Sequence, residues 1–180
     1  LRAAAGLLQR GVPDQAAAEY RSFLTSHPDH PQAAAARYGL AVCLTQLNRW
    51  KDAAEELRRI PPNADFEFAP DAMLLAGQCA LTAGDAEAAL IPLRSLRERF
   101  PTYERADVAC GMLGEAFYRL GRYDEAARTL DSIRVQWPRS ASRPRAEFML
   151  ALTDAARGQD REAAARLEAM RDTWPSDPLT

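Results

Sequence analysis

The chain holds 180 residues, 23 of them Lys or Arg against 25 Asp or Glu, for a net charge of −2. That balance excludes nucleic acid as a main ligand, since phosphate backbones are held by a surplus of cations. The longest apolar stretches have the length of globular helices and are broken by charge, which excludes direct membrane insertion. In chain order, residues 1–9 have the pattern of a helix tail, so the sequence is expected to begin partway through a structural unit and to continue upstream, as part of a longer protein. A helix is predicted near 13–27, then helices near 31–47 and 50–60. The pattern resumes near 69–83 and 85–100, then near 103–120 and 123–137, and closes near 144–157 and 160–174.

These elements repeat in register. Gly11, Asn48, Gly84, Gly121 and Gly158 recur every 36 or 37 residues. Five residues past each stand Ala16, Ala53, Ala89, Ala126 and Ala163; nine past stand Tyr20, Leu57, Leu93, Leu130 and Leu167. Phe23, Ile60, Leu96, Ile133 and Met170 follow at twelve, and the small residues Ala4, Ala41, Gly77, Gly114 and Ala151 precede at seven. Periods of this length mean stacked helical pairs. Small residues mark where two helices cross closely, and the Leu and Ile columns form the buried stripe. The turn residue ends the first helix of a pair in a left-handed conformation. Asp14, Asp52, Asp85, Asp124 and Asp160 favour the start of the second helix, by capping or through its dipole. Pro28, Pro101, Pro138 and Pro175 then stop it.

This small–turn–Ala–Pro pattern resembles the tetratricopeptide repeat family along nearly the whole chain. Its best copy runs from Leu113-Gly114 through Gly121-Arg122-Tyr123-Asp124-Glu125-Ala126 to Trp137-Pro138. The resemblance implies an all-α fold, a right-handed α-α superhelix (solenoid) of helical hairpins. It implies one solenoid over 1–180, with units near 1–28, 31–65, 69–101, 103–138 and 141–175. The units run about three residues longer than the common form of roughly 34. The aromatic-Pro closures, with their longer links, look like bacterial cell-envelope members, such as outer-membrane assembly lipoproteins and Tol–Pal-associated periplasmic proteins. That points to the periplasm or envelope.

Two places break the repeat. Pro61-Pro62 truncates one second helix, and Phe66 and Phe68 follow in the link. These two rings either form an exposed secondary contact loop or fold back to fill the gap left by the short helix. Pro92 lies inside the helix near 85–100 and removes the amide that would bond the Ala88 carbonyl. A kink near 88–92 is expected, at about 3 kcal/mol relative to a good helix former.

No residue pattern points to catalysis, a metal or a cofactor. His27 and His30 flank Pro28-Asp29 with no further ligand near in sequence, so they read as surface residues. No Gly-rich phosphate loop and no Ser or Cys nucleophile motif is present. Lys51 is the only lysine, and Arg58, Arg59, Arg97, Arg99, Arg143 and Arg145 are scattered among Glu and Asp, as in a GC-rich bacterial genome. Cys43, Cys79 and Cys110 show no CxxC spacing and read as buried small hydrophobes. Unpaired thiols favour a reducing compartment, against the envelope resemblance, and compartment stays open at this point.

Function must then come from a surface. In the tetratricopeptide family the first helices line a concave groove. Carried onto this chain, the groove columns hold Tyr38, Val42, Leu74, Gln78, Leu81, Gly111, Glu115, Tyr118, Arg119, Phe148 and Leu152. Val42, Leu74 and Leu152 are expected to pack against neighbouring helices. Tyr38, Gln78, Glu115, Tyr118, Arg119 and Phe148 remain as the partner-binding set, since aromatics and Arg dominate binding hot spots. Gly111 leaves room for a ligand backbone or for a neighbouring side chain. The Lys, Asn and Arg that clamp acidic C-terminal tails in some family members are absent from these columns. The resulting expectation is a non-catalytic scaffold for a protein or peptide ligand. The alternatives are a regulatory or substrate-docking segment of a larger enzyme or signalling protein, and a self-assembling scaffold. Self-association is suggested by Asp154, in a column that holds Leu44 and Phe117 elsewhere, where it is expected to loosen the last pair and expose a surface for stacking with another copy.

Overall fold

Ten α-helices and no strand occur among the described residues, 1–179, of the computed structural model. In chain order they are α1 (Arg2–Gln9), α2 (Pro13–Ser26), α3 (Ala33–Gln46), α4 (Trp50–Arg58) and α5 (Ala69–Thr82). The rest are α6 (Ala86–Arg99), α7 (Ala106–Arg119), α8 (Tyr123–Gln136), α9 (Arg143–Ala156) and α10 (Asp160–Thr173). Each sits within a few residues of its sequence expectation, because strong local signals set both ends.

Every hairpin turn passes through the left-handed region. Gly11, Gly84, Gly121 and Gly158 have φ between 71° and 85°, and Asn48 has φ 57°. Asn is the residue after Gly that best tolerates this conformation, so the substitution at one turn keeps the geometry. The second helices end through a different device. His27, Trp137 and Trp174 leave the helix at φ −140°, −130° and −131°, each directly before a Pro. A following Pro clashes with the helical backbone of its predecessor and pushes it to an extended conformation. Capping by aspartate is narrower than the repeat suggests. Only Asp85 accepts a hydrogen bond from the amide it would cap, that of Ala88 at 3.0 Å. Asp14, Asp52, Asp124 and Asp160 stand inside the first turn of their helices, where they complement the dipole instead.

The residues form two compact units, Leu1–Ser95 and the chain from Leu96 onward. In the first, each of α1 to α4 packs on its successor; in the second, each of α7 to α9 does the same, and α7 also touches α9. Small residues set the close approaches. A Cβ on Gly77 of α5 would lie 2.5 Å from the Leu93 side chain of α6, and one on Gly114 of α7 would lie 2.5 Å from Leu130 of α8. The core of the first unit joins Ala16, Tyr20, Leu40, Leu44 and Leu57, with Phe66 packed on its edge. In the second unit Cys110, Leu130, Ile133, Met149 and Leu150 form a cluster of the same kind.

The two breaks behave differently. At Pro61-Pro62 the repeat is shortened: α4 has 9 residues where α2, α6, α8 and α10 each have 14. At a rise of 1.5 Å per residue, the missing five remove about 7 Å of helix. At Pro92 the helical segment is not cut short: α6 spans Ala86–Arg99 with the proline inside it. Asp154 does not loosen the last pair. It is buried, with Arg166 of α10 donating from Nε at 3.1 Å and the Arg157 guanidinium at 4.0 Å. Arg166 also reaches Glu147 at 2.8 Å, and the aspartate, in a column that holds Leu44 and Phe117 elsewhere, is held by Arg166 and Arg157.

Candidate interaction surfaces

The first-helix columns place the predicted side chains on half-buried faces in each unit. In the first unit Tyr38 projects from α3 and stacks on Phe68, ring centroids 5.6 Å apart and planes 19° apart. Phe68 is the residue that precedes α5, and it is 43% exposed. The two rings of the broken link therefore part company. Phe66 turns onto the core, whereas Phe68 joins the predicted groove residue Tyr38. Gln78, on α5, is half-buried, and its amide has no hydrogen-bond partner among the described residues. Leu74 and Leu81 are buried and serve packing.

In the second unit, charge and aromatics meet on α7 and α9. Glu115 accepts from Arg119 on its own helix at 2.6 Å and from Arg145 of α9 at 2.8 Å. The carboxylate is largely covered while both guanidinium groups reach solvent, so it presets two exposed donors. Tyr118 lies one residue before Arg119 and leans on Tyr123 of α8, centroids 5.7 Å apart. Phe148 is half-buried on α9, and Leu152 packs on the core cluster. Gly111 leaves space: a Cβ there would meet only Ile133, at 3.9 Å. Arg145 was missed by sequence reasoning. Its trace was a charge complement between Glu115 and a residue of the next first helix, which shows only when two repeat columns are compared.

The remaining reactive groups are engaged in structure. The His30 ring accepts the Gln32 amide through Nδ1 at 3.0 Å, and Phe23 stacks on His27 with centroids 5.2 Å apart. All three thiols are buried and unpaired. Burial pushes Cys43 up to about 11 and Cys79 up to about 12, and raises Cys110, whose Sγ donates to the Thr129 carbonyl at 3.2 Å.

A cavity of about 890 Å³ opens beside α4, in the gap left by that short helix, which Phe66 lines but does not fill. It lies where α4 is short, with α5 as its floor and α6 as its far wall. Phe66 and Pro62 line one end, and Ala88, Ile91 and Pro92 line the α6 side.

Helical hairpins of this length, stacked in sequence about left-handed turns, define a helical-repeat protein. A family model of the tetratricopeptide repeat matches residues 1–68, 64–104 and 112–178, and the chain belongs to that family. Its fold is the all-α hairpin solenoid shared with solved structures of low sequence identity. YrrB, described as a TPR protein with an unusual peptide-binding site, is 22% identical with a TM-score of 0.80, covering 98% of this chain and 85% of that one. MamA from Desulfovibrio magneticus RS-1 is 16% identical with a TM-score of 0.76, covering 98% and 94%. A tetratricopeptide repeat protein from Parabacteroides merdae is 16% identical with a TM-score of 0.78, covering 98% and 66%. No curated protein matches the sequence.

Proposed function

We propose that this chain is a non-catalytic interaction scaffold that binds a peptide or protein segment on the face of its first helices. The observation that carries the reading is the Glu115 site, where one covered carboxylate fixes two exposed arginines on α7 and α9, the helices that also carry Tyr118 and Phe148. Preset guanidinium donors next to aromatic surface are the composition of binding hot spots. In the first unit, Gln78 on α5 has an unused amide, and the Tyr38–Phe68 stack supplies aromatic surface. The bound segment is one with polar backbone or side-chain acceptors flanked by apolar residues. YrrB, with its described peptide-binding site, supports the choice of ligand class. Envelope assembly is the setting we infer, supported by the aromatic-Pro closures at Phe100-Pro101, Trp137-Pro138 and Trp174-Pro175. Cell fractionation of the native host tests that setting, and a purely cytosolic chain contradicts it. The binding site is tested by a pull-down from a bacterial lysate with the parent and a Tyr118→Ala/Arg119→Ala/Phe148→Ala variant of equal helicity. A partner held by the parent and lost from the variant is expected; one retained by both overturns the assignment.

A second reading, self-association, has its own observation. Leu167 on α10 is 41% exposed, whereas its column mates Leu57, Leu93 and Leu130 are buried. Sedimentation over a concentration series is expected to show an associating species that Leu167→Glu removes. A concentration-independent monomer contradicts this reading.

A further inference from the structure

The cavity beside α4 lies within the first unit and is lined by none of the residues assigned above to partner binding on the first helices. It arises because Pro61-Pro62 ends α4 early, and the link residues do not refill the volume. Its floor and walls are small and apolar: Ala72, Ala76 and Ala80 come from α5, and Ala88 and Pro92 from α6. Ile91 stands at the mouth, 70% exposed. At about 890 Å³ the space is large enough for several side chains of a guest.

The rim carries two cations and two anions, and only the cations lack a partner within the chain. Four charged residues line the cavity: Lys51, Glu55, Arg58 and Asp85. Both anions are already engaged. Glu55 holds Arg59 at 2.7 Å, and Asp85 caps α6 through the Ala88 amide. Both cations are free, as neither Lys51 nor Arg58 has an ion-pair or hydrogen-bond partner among the described residues. They stand seven residues apart on α4, hence on one face and about 10 Å apart along its axis. On the opposite wall, Pro92 has no N–H to give the Ala88 carbonyl, so one backbone acceptor at the cavity lacks its usual helical donor.

We propose that this cavity is a second docking site, which takes an amphipathic, acidic helical segment of another protein. The guest's apolar side chains occupy the volume that the missing turns of α4 vacate. Two of its carboxylates, spaced two helical turns apart, pair with Lys51 and Arg58. An apolar groove read by residues at helical spacing is an established mode of segment recognition, and here the rim charge selects for acidic guests.

The test uses a fluorescein-labelled 14-residue amphipathic peptide with Leu on one face and Glu at two positions seven apart. Its twin carries Lys at those positions. By fluorescence anisotropy the Glu peptide is expected to bind the chain at least tenfold more tightly than the twin. Lys51→Glu/Arg58→Glu reverses that preference, which a general loss of folding does not do. Ala88→Trp, at an exposed position on the rim, abolishes binding by filling the mouth. Tyr118→Ala/Phe148→Ala leaves binding unchanged, so this site stands or falls apart from the first-helix face. Equal binding of the two peptides, no binding of either, or loss of binding in the Tyr118/Phe148 variant overturns the proposal. So does an Ala88→Trp chain that turns from dimer to monomer, because a second copy is then the occupant.

Discussion

Glycine does three different jobs in this chain, and substitution by alanine separates them. At Gly77 and Gly114 the missing Cβ is what lets Leu93 and Leu130 seat against the paired helix. Alanine there overpacks a buried crossing, and we expect a net loss of about 1–2 kcal/mol by urea denaturation after the gain in helix propensity is subtracted. At Gly111 the same change meets only the end of Ile133. Gly111→Ala is therefore expected to stabilise the free chain by about 0.5–1 kcal/mol. At the turns, only the left-handed backbone matters, and there Asn48 stands in for Gly. The thiols carry a second expectation at this scale. Burial keeps Cys43 and Cys79 protonated to about pH 11 and 12, above the ordinary value of 9.0. An unfolded chain loses these protons first, so the stability the thiols contribute is full below pH 9 and is lost as pH rises toward 11–12. At pH 8 iodoacetamide is expected to leave all three cysteines unmodified in the folded chain and to label them in urea. Labelling of the native protein contradicts their burial.

At the scale of helices, the sequence was most readable where an element is ended by local chemistry. Turn glycines and pre-proline residues fix boundaries through their own backbone preferences, so most of the hairpins could be placed from sequence alone. Features that need two elements were less visible. The Tyr38–Phe68 stack joins a first helix to an irregular link, where no repeat column predicts direction. The cavity beside α4 depends on how Phe66 and Phe68 diverge, which Pro61-Pro62 does not dictate. Asp154 is the clearest case. Alone in an apolar column it suggested a weak last pair, but Arg166 arrives from the next helix to satisfy it. Thermal unfolding is expected to show this asymmetry. Arg166→Leu leaves the buried carboxylate only the 4.0 Å approach of Arg157 and costs about 2 kcal/mol. Asp154→Leu restores the column residue and changes stability by less than about 1 kcal/mol, because Arg166 keeps Glu147 and access to water.

For the whole molecule, the repeat explains why function is a matter of surface. Each hairpin spends its apolar residues on its neighbours, and the side chains left over are presented in columns. Two such surfaces emerge, with different chemistry. The first helices offer aromatics with preset arginines, and the gap beside α4 offers an apolar hollow with two free cations. The first-helix face is the central claim, and site-specific photocrosslinking tests it most directly. A benzophenone amino acid is placed at Tyr118, and in a separate chain at Val135 on α8, which is 69% exposed and lies outside both surfaces. After irradiation in a bacterial lysate, the account predicts a discrete crosslinked protein from position 118 and none from position 135. Crosslinking from 135 alone, or equal and indiscriminate crosslinking from both, contradicts it.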